Sequence, residues 1–261
     1  MDLDLRGKRA IVCGSTRGIG KAIAIELALL GAHITLLARD EQRLKQTLSE
    51  LSSAGGQRHE YLVADFNFPE KVRSVITPYV QKTDTHILVN NTGGPPGGPA
   101  IDAAPEDFLN AFSAHLLCNH ILVQAVVEGM KRAGYGRVIN VISTSVKIPI
   151  RGLGVSNTIR GAVANWSKTL SVELGPFGIT VNNVLPGATM TDRLEEINRK
   201  TAEKTGKSFE QITEEMKKQI PAGRIASPGE VAAAAAFLAS PAAGYINGIN
   251  MPVDGGRTGS L

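Results

Sequence analysis

Lys8-Arg9-Ala10-Ile11-Val12-Cys13-Gly14-Ser15-Thr16-Arg17-Gly18-Ile19-Gly20 carries an apolar, partly β-branched run into a glycine-rich turn. The residues after Gly18 have the apolar spacing of a helix. The stretch therefore reads as strand, tight turn, helix. Glycine at Gly14, Gly18 and Gly20 lets the backbone turn sharply and come close to a ligand. The helix start adds free N–H groups and the positive end of a dipole, a setting that suits a pyrophosphate. Such a turn needs glycine even with no ligand, so the weight lies in its position after the first strand.

Outward from that unit the same alternation repeats. Lys8 to Cys13, Ile34 to Ala38, Tyr61 to Asp65, Ile87 to Asn90, Arg137 to Ser143 and Ile179 to Val184 read as buried strands, with a last one at Ile249 to Val253. Gly18–Leu30, Glu41–Ala54, Pro69–Lys82, Pro105–Arg132, Ser156–Leu174 and Pro228–Ala239 read as helices. This βαβ order predicts one doubly wound, Rossmann-type α/β domain over residues 1–261. Its seven parallel strands are covered by helices on both faces. Ligands of such sheets bind at the strand C-termini. Two segments break the rhythm beside that edge. Gly93 to Pro99, GGPPGGP, is a loop by composition, and the charged stretch 192–221 reads as a helical insertion placed as a substrate lid.

Composition narrows the classes. A hydrophobic fraction of 43% and a charged fraction of 20% belong to an ordinary globular chain. The net charge of +4 is spread among acids, as in Glu195 to Lys218, with no basic block interleaved with aromatics, so nucleic acid is not an expected partner. The start MDLDLRGKRA has no apolar core of a secretory signal, and the alanine-rich run Val231 to Ala239 falls well short of the ~20 residues that span a bilayer. Cys13 and Cys118 lack metal-ligand or disulfide spacing. A cytoplasmic location with no metal and no membrane contact is expected.

The spacing G-x-x-x-G-x-G at Gly14–Gly20 resembles the short-chain dehydrogenase/reductase family. The likeness continues through Asp65 and Phe66 after the third strand, Asn91 and Gly93 after the fourth, and Ser143 after the fifth. Pro186-Gly187 with Thr191 follow the sixth, and the chain closes on Pro252-Val253-Asp254-Gly255-Gly256. The overall pattern is similar to 3-oxoacyl-carrier-protein reductases, as an atypical branch. Cys13 and Thr92 stand where the family has Thr and Ala. The resemblance implies a nicotinamide dinucleotide on Gly14, Ser15, Thr16, Arg17, Gly18, Ile19 and Gly20. Asp65 would accept from the adenine amino group, Asn91 meet the ribose, and Thr191 hold the carboxamide. Each also has a local reading: an Asx turn at Asp65, loop fixation by Asn91, a helix cap by Thr191. After the second strand stands Ala38-Arg39 rather than an acid. With Arg17, Arg39 offers two guanidinium groups to a 2′-phosphate, so the expected cofactor is NADP(H). The family also commonly assembles through its two long helices, which implies a homotetramer or homodimer.

The family's carbonyl chemistry uses serine, tyrosine, lysine and asparagine. Only Ser143 is present. The asparagine position is His115, the tyrosine Ser156 and the lysine Arg160. Ser156 and Arg160 are four apart on one helix face. A serine hydroxyl is a poor acid, and arginine does not give up its proton near neutral pH. His115, Lys147 or a water held by Ser156 are the candidate proton donors. Ser143 orients the carbonyl, and Arg160 the ribose. Two readings stand at this point: an NADP(H)-dependent oxidoreductase acting on a small carbonyl or alcohol, or an impaired binding protein on the same fold. A further alternative for Ser156 is a mere helix cap, with Arg160 on an exposed turn.

Overall fold

A computed structural model describes residues 1–260. The strands are β1 (Arg9–Cys13), β2 (His33–Ala38), β3 (Glu60–Val63), β4 (Ile87–Asn90), β5 (Gly136–Val141), β6 (Ile179–Pro186) and β7 (Asn250–Val253). They form one parallel sheet in the order β3-β2-β1-β4-β5-β6-β7. The order reverses between β1 and β4, which opens a crevice at their C-terminal ends.

Alternation along each strand sorts the core into two layers. Ala10 and Val12, Ile34 and Leu36, Ile87 and Val89, and Ile139 and Val141 face α1 (Gly18–Leu29) and α9 (Pro228–Ala239). Ile11 and Cys13, Leu37, Leu88, Val138 and Val181 face the opposite layer. That layer holds α3 (Pro69–Val80), α5 (Cys118–Ala133) and α6 (Gly154–Leu174). Apolar side chains on both faces explain why these strands read as continuous hydrophobic runs.

One row across the sheet is polar. Asn90, Asn140, Asn183 and Asn250 sit opposite one another on β4, β5, β6 and β7. Asn90 Nδ2 donates to Asn140 Oδ1 at 2.8 Å, Asn140 Nδ2 to Asn183 Oδ1 at 3.0 Å, and Asn183 Nδ2 to Asn250 Oδ1 at 2.8 Å. Each amide group donates to the next, which makes them tolerable in an otherwise apolar core; Asn90 Oδ1, at the end of the row, has no partner among the described residues.

The sequence expectations differ from the structure at several ends, each for a local reason. β3 stops before Asp65 because the Asp65 carboxylate accepts from Asn67 N at 2.9 Å and turns the chain. β5 stops at Val141 because Ser143 Oγ accepts from Ser145 N at 3.1 Å, starting a 3-10 turn at Thr144–Val146. α2 (Glu41–Ser49) is shorter than expected, since the Ser-Ser-Ala-Gly-Gly that follows buries little and Gly56 takes φ +80°. The long helix expected over Pro105–Arg132 is α4 (Pro105–Phe112), then a π-turn at Ser113–Leu117, then α5. α6 begins at Gly154, two residues before the expected Ser156, and that first residue is glycine because a Cβ there would collide with the Ala100 backbone. Residues 192–221 form α7 (Asp192–Thr205) and α8 (Phe209–Lys218), separated by Gly206 at φ +70°.

No helix of the described residues is long and apolar enough to cross a membrane. Among them no group of His, Cys, Asp or Glu is placed to hold a metal.

Candidate active site

The glycine turn is built by close approach. A Cβ at Gly14 would strike the Asn91 carbonyl, and one at Gly20 the Gly14 carbonyl. Asn91 fixes the turn from the side: its Nδ2 lies 3.3 Å from both Cys13 O and Gly14 O. Gly187 is glycine because a Cβ would meet Asp254. Ser15 is fully buried in the turn, and its hydroxyl has no partner among the described residues. A buried hydroxyl so left calls for a ligand oxygen or a water.

Beside this turn the cations are exposed and the acids engaged. Arg39 lies in the bend after β2, open to solvent. Asp40 caps α2, accepting from Arg43 N at 3.0 Å, and pairs with the Arg43 guanidinium at 3.4 Å. Arg17 precedes α1 and pairs with Asp192 of α7 at 3.3 Å. Thr191 caps α7 through Leu194 N at 3.3 Å, and a Cβ at Gly18 would lie 3.2 Å from its methyl group. The insertion therefore starts directly on the glycine turn. Its next residue, Arg193, donates to Pro95 O at 2.9 Å in the GGPPGGP loop.

The second half of the site lies over the ends of β4 and β5. Arg160 is only 8% exposed. Its Nη1 donates to Val141 O at 3.1 Å and its Nη2 to Thr92 O at 3.3 Å. Burial pulls its pKa down to about 10, which leaves it charged at neutral pH. Ser156 stands one turn earlier on the same face, inside α6 rather than capping it. The helix-cap alternative, with Arg160 exposed, is therefore overturned: two residues of helix precede Ser156 and Arg160 is buried.

His115 is 2% exposed and its Nδ1 is hydrogen-bonded to the Thr92 hydroxyl. The π-turn supplies the extra residue that swings this part of the helix, a device common where a helix must present a side chain. Burial, and then the Arg160 charge, push the imidazole pKa down to about 2. It is neutral near pH 7, so it is no imidazolium acid there. This burial counts against His115 as the expected proton donor. Lys147 follows the 3-10 turn, half-buried, its N–H on Thr144 O at 2.9 Å. Cys13 and Cys118 are buried free thiols, with burial raising both pKa values.

Neither Thr92 nor Arg193 is among the site residues expected from the sequence, although Thr92 is noted there as a departure from the family pattern. For Thr92 a signal existed. Thr92, His115 and Arg160 all depart from the expected pattern, and the three are joined through one residue. For Arg193 there was none, since its partner is a backbone carbonyl far along the chain.

Residues 14–258 match the family model described as enoyl-(acyl carrier protein) reductase. The chain is 34% identical over 255 residues to the 3-oxoacyl-[acyl-carrier-protein] reductase FabG of Vibrio cholerae, covering 97% of this chain and 98% of that one. Among solved structures, it superposes on L-sorbose reductase of Gluconobacter frateurii, a complex with NADPH and L-sorbose. The TM-score is 0.93 at 31% identity, over 100% of both chains. YwfH, an NADPH-dependent reductase involved in bacilysin biosynthesis, superposes with a TM-score of 0.91 at 27% identity, covering 97% of this chain and 99% of that one. With its fold, its glycine turn and these matches, the chain belongs to the short-chain dehydrogenase/reductase family.

Proposed function

We propose that this chain is an NADP(H)-dependent oxidoreductase that reduces a small carbonyl compound, or oxidises the alcohol, with a proton donor other than tyrosine. The observation that carries the reading is the shared edge. Ser143 follows β5 by two residues, and the Arg160 guanidinium holds the carbonyl of Val141, the last residue of that strand, so both stand at the C-terminal edge of the sheet that the Gly14–Gly20 turn shares. The relatives support it, since the proteins named above are reductases by description.

The residues present fit the dinucleotide. The orphaned Ser15 hydroxyl and the N-terminus of α1 suit its pyrophosphate. Arg17 and Arg39 suit a 2′-phosphate, and no free carboxylate at the end of β2 opposes it. Asp65, Phe66, Asn91, Gly93, Pro186, Gly187 and Thr191 complete the lining expected from the family. When bound, the nicotinamide supplies the hydride for the carbonyl carbon.

The chain's own groups manage the oxygen. Ser143 Oγ already accepts from Ser145 N, so its own O–H is left to donate to the substrate oxygen. Arg160 supplies a buried positive charge at the same strand end. With His115 held neutral, Lys147 and a water on Ser156 are the remaining proton sources. Residues 192–221 act as the lid, and apolar Leu109, Phe112 and Leu117 on the α4–α5 surface suit self-association into a dimer or tetramer.

The test is NADPH consumption across aldehydes, ketones and 3-oxoacyl thioesters. Repeated turnover with at least one class is expected. Absence of hydride transfer from bound NADPH to every carbonyl offered overturns the reading and leaves a cofactor-binding protein without turnover.

A further inference from the structure

Arg160 is a buried cation without an anion. No carboxylate lies within salt-bridge distance of it among the described residues; its acceptors are two backbone carbonyls, Val141 O and Thr92 O. Carbonyl dipoles lessen the cost of burying a charge but do not neutralise it. A guanidinium also has more N–H groups than these two acceptors use. His115, the titratable ring beside it, is uncharged and supplies no counter-charge. Asp192 and Glu196 of α7 are engaged at the surface, Asp192 on Arg17 and Glu196 on Lys200 and Arg193. Arg137 is also buried on backbone carbonyls, but the Tyr135 ring lies 4.1 Å from its guanidinium; Arg160 has no such ring and stands at the ligand-binding end of the sheet, where an incoming anion can meet its charge.

We infer that Arg160 receives a carboxylate of the substrate, so that the natural substrates are short oxo acids, or the matching hydroxy acids, rather than neutral ketones. This deepens the reductase reading and rests on it. The choice of a carboxylate follows from charge and shape. One guanidinium balances one negative charge, and its planar fork matches a planar carboxylate. A phosphate dianion would leave one negative charge unmet in the same buried place. The spacing bears on the substrate's length. Val141, whose carbonyl Arg160 holds, is two residues before Ser143, whose hydroxyl is free to bind the reacting oxygen. Residues two apart in extended chain have Cα atoms about 7 Å apart, so both groups serve the same strand end, and an acid with carbonyl and carboxylate close together, such as a 2- or 3-oxo acid, is the match we expect. The ribose role expected for Arg160 from the family uses neutral hydroxyl groups and would leave the charge unanswered.

The test compares 2- and 3-oxo acids of three to nine carbons with their methyl esters, in the full-length protein with NADPH. The native protein should favour acid over ester by at least about thirtyfold in kcat/KM, the scale of one buried charge contact. Arg160→Gln should abolish that preference while NADPH affinity changes by less than about threefold; Arg160→Lys, which keeps the charge, should restore part of it. Equal rates with acid and ester overturn the inference and leave the reductase reading standing. So does a large loss of NADPH affinity in both variants, which would return Arg160 to the ribose. A second readout is independent of turnover: the fluorescence of protein-bound NADPH titrated with acid, ester and inorganic phosphate. An acid-selective response with no turnover keeps the anion site and removes the reductase reading; no response to acid, together with no turnover, removes both.

Discussion

The Arg160 guanidinium donates to the backbone carbonyl of Thr92 at 3.3 Å, and the Thr92 side chain binds His115. A single residue in the loop after β4 thus ties the long helix α6 to the π-turn between α4 and α5. The tie fixes two charge states at once. The guanidinium is buried but charged, and the imidazole beside it is neutral.

The His115 state predicts a pH dependence of stability. Its pKa is near 6.5 when unfolded and is pushed to about 2 when folded. Below pH 6.5 the unfolded chain therefore binds the proton that the folded chain refuses. Stability is full above the unfolded value and falls as the pH drops towards 2, by up to ~1.4 kcal/mol per pH unit from this group. Urea unfolding of native protein and His115→Asn at pH 7.5, 6 and 5 checks it. The native protein should lose more stability than the variant over that span. Parallel slopes would show the histidine titrates normally. The pH–rate profile should likewise lack a limb that His115→Asn removes.

The asparagine row predicts a cooperative loss. Asn140 donates to both Asn183 and the Ser167 hydroxyl and accepts from Asn90. Asn140→Ala leaves buried amide groups unpaired on two neighbouring strands, at a cost of ~2–4 kcal/mol. Denaturant unfolding should show the midpoint falling with the m-value unchanged. A loss under ~0.5 kcal/mol would mean water replaces the missing amide.

Cofactor preference should sit on two arginines. Arg39→Ala is expected to weaken NADPH binding by roughly tenfold or more and to leave NADH within about twofold, read by fluorescence titration. Asp192 acts in the opposite sense. Its exposed pair with Arg17 competes with a 2′-phosphate and is worth at most ~1 kcal/mol, so Asp192→Asn should tighten NADPH by up to about fivefold. Raising the salt concentration should shrink that gain. An unchanged affinity would place the phosphate away from Arg17.

The proton donor is open to reconstruction. The double variant Ser156→Tyr, Arg160→Lys introduces an acid one helical turn before an ammonium. If the native protein relies on Lys147 or a water, the variant should raise kcat for a neutral ketone by about 10²-fold. Lys147→Met in the native background should then lower kcat with little change in NADPH affinity. A variant slower than native on every ketone would show that the Arg160 network, once broken, no longer shapes the site.

The elements themselves were legible in the sequence because their signals are local. Alternating apolar strands, helix spacing, and glycines at Gly14 and Gly20 depend on near neighbours in the chain, and β4 and α9 fall on the expected boundaries. Errors gathered where a side chain competes with the backbone. Asp65 and Ser143 end their strands by capturing an amide two residues on, and the π-turn interrupts what periodicity reads as one helix. Asp65 and Asn91 each have a structural bond that sequence weighed as an alternative to ligand binding, and Thr191 is a helix cap.

By itself, then, the sequence determined a doubly wound sheet with a dinucleotide turn at one edge and a set of residues at odds with the family's usual chemistry. The tertiary structure alone decided what those residues are. Residue type makes His115 a plausible acid and Arg160 a plausible surface cation. Burial decides otherwise, because removing water penalises the imidazolium out of existence while arginine, with its far higher proton affinity, stays charged. Desolvation depends on what the rest of the chain packs around a group, and no stretch of neighbouring residues carries that information.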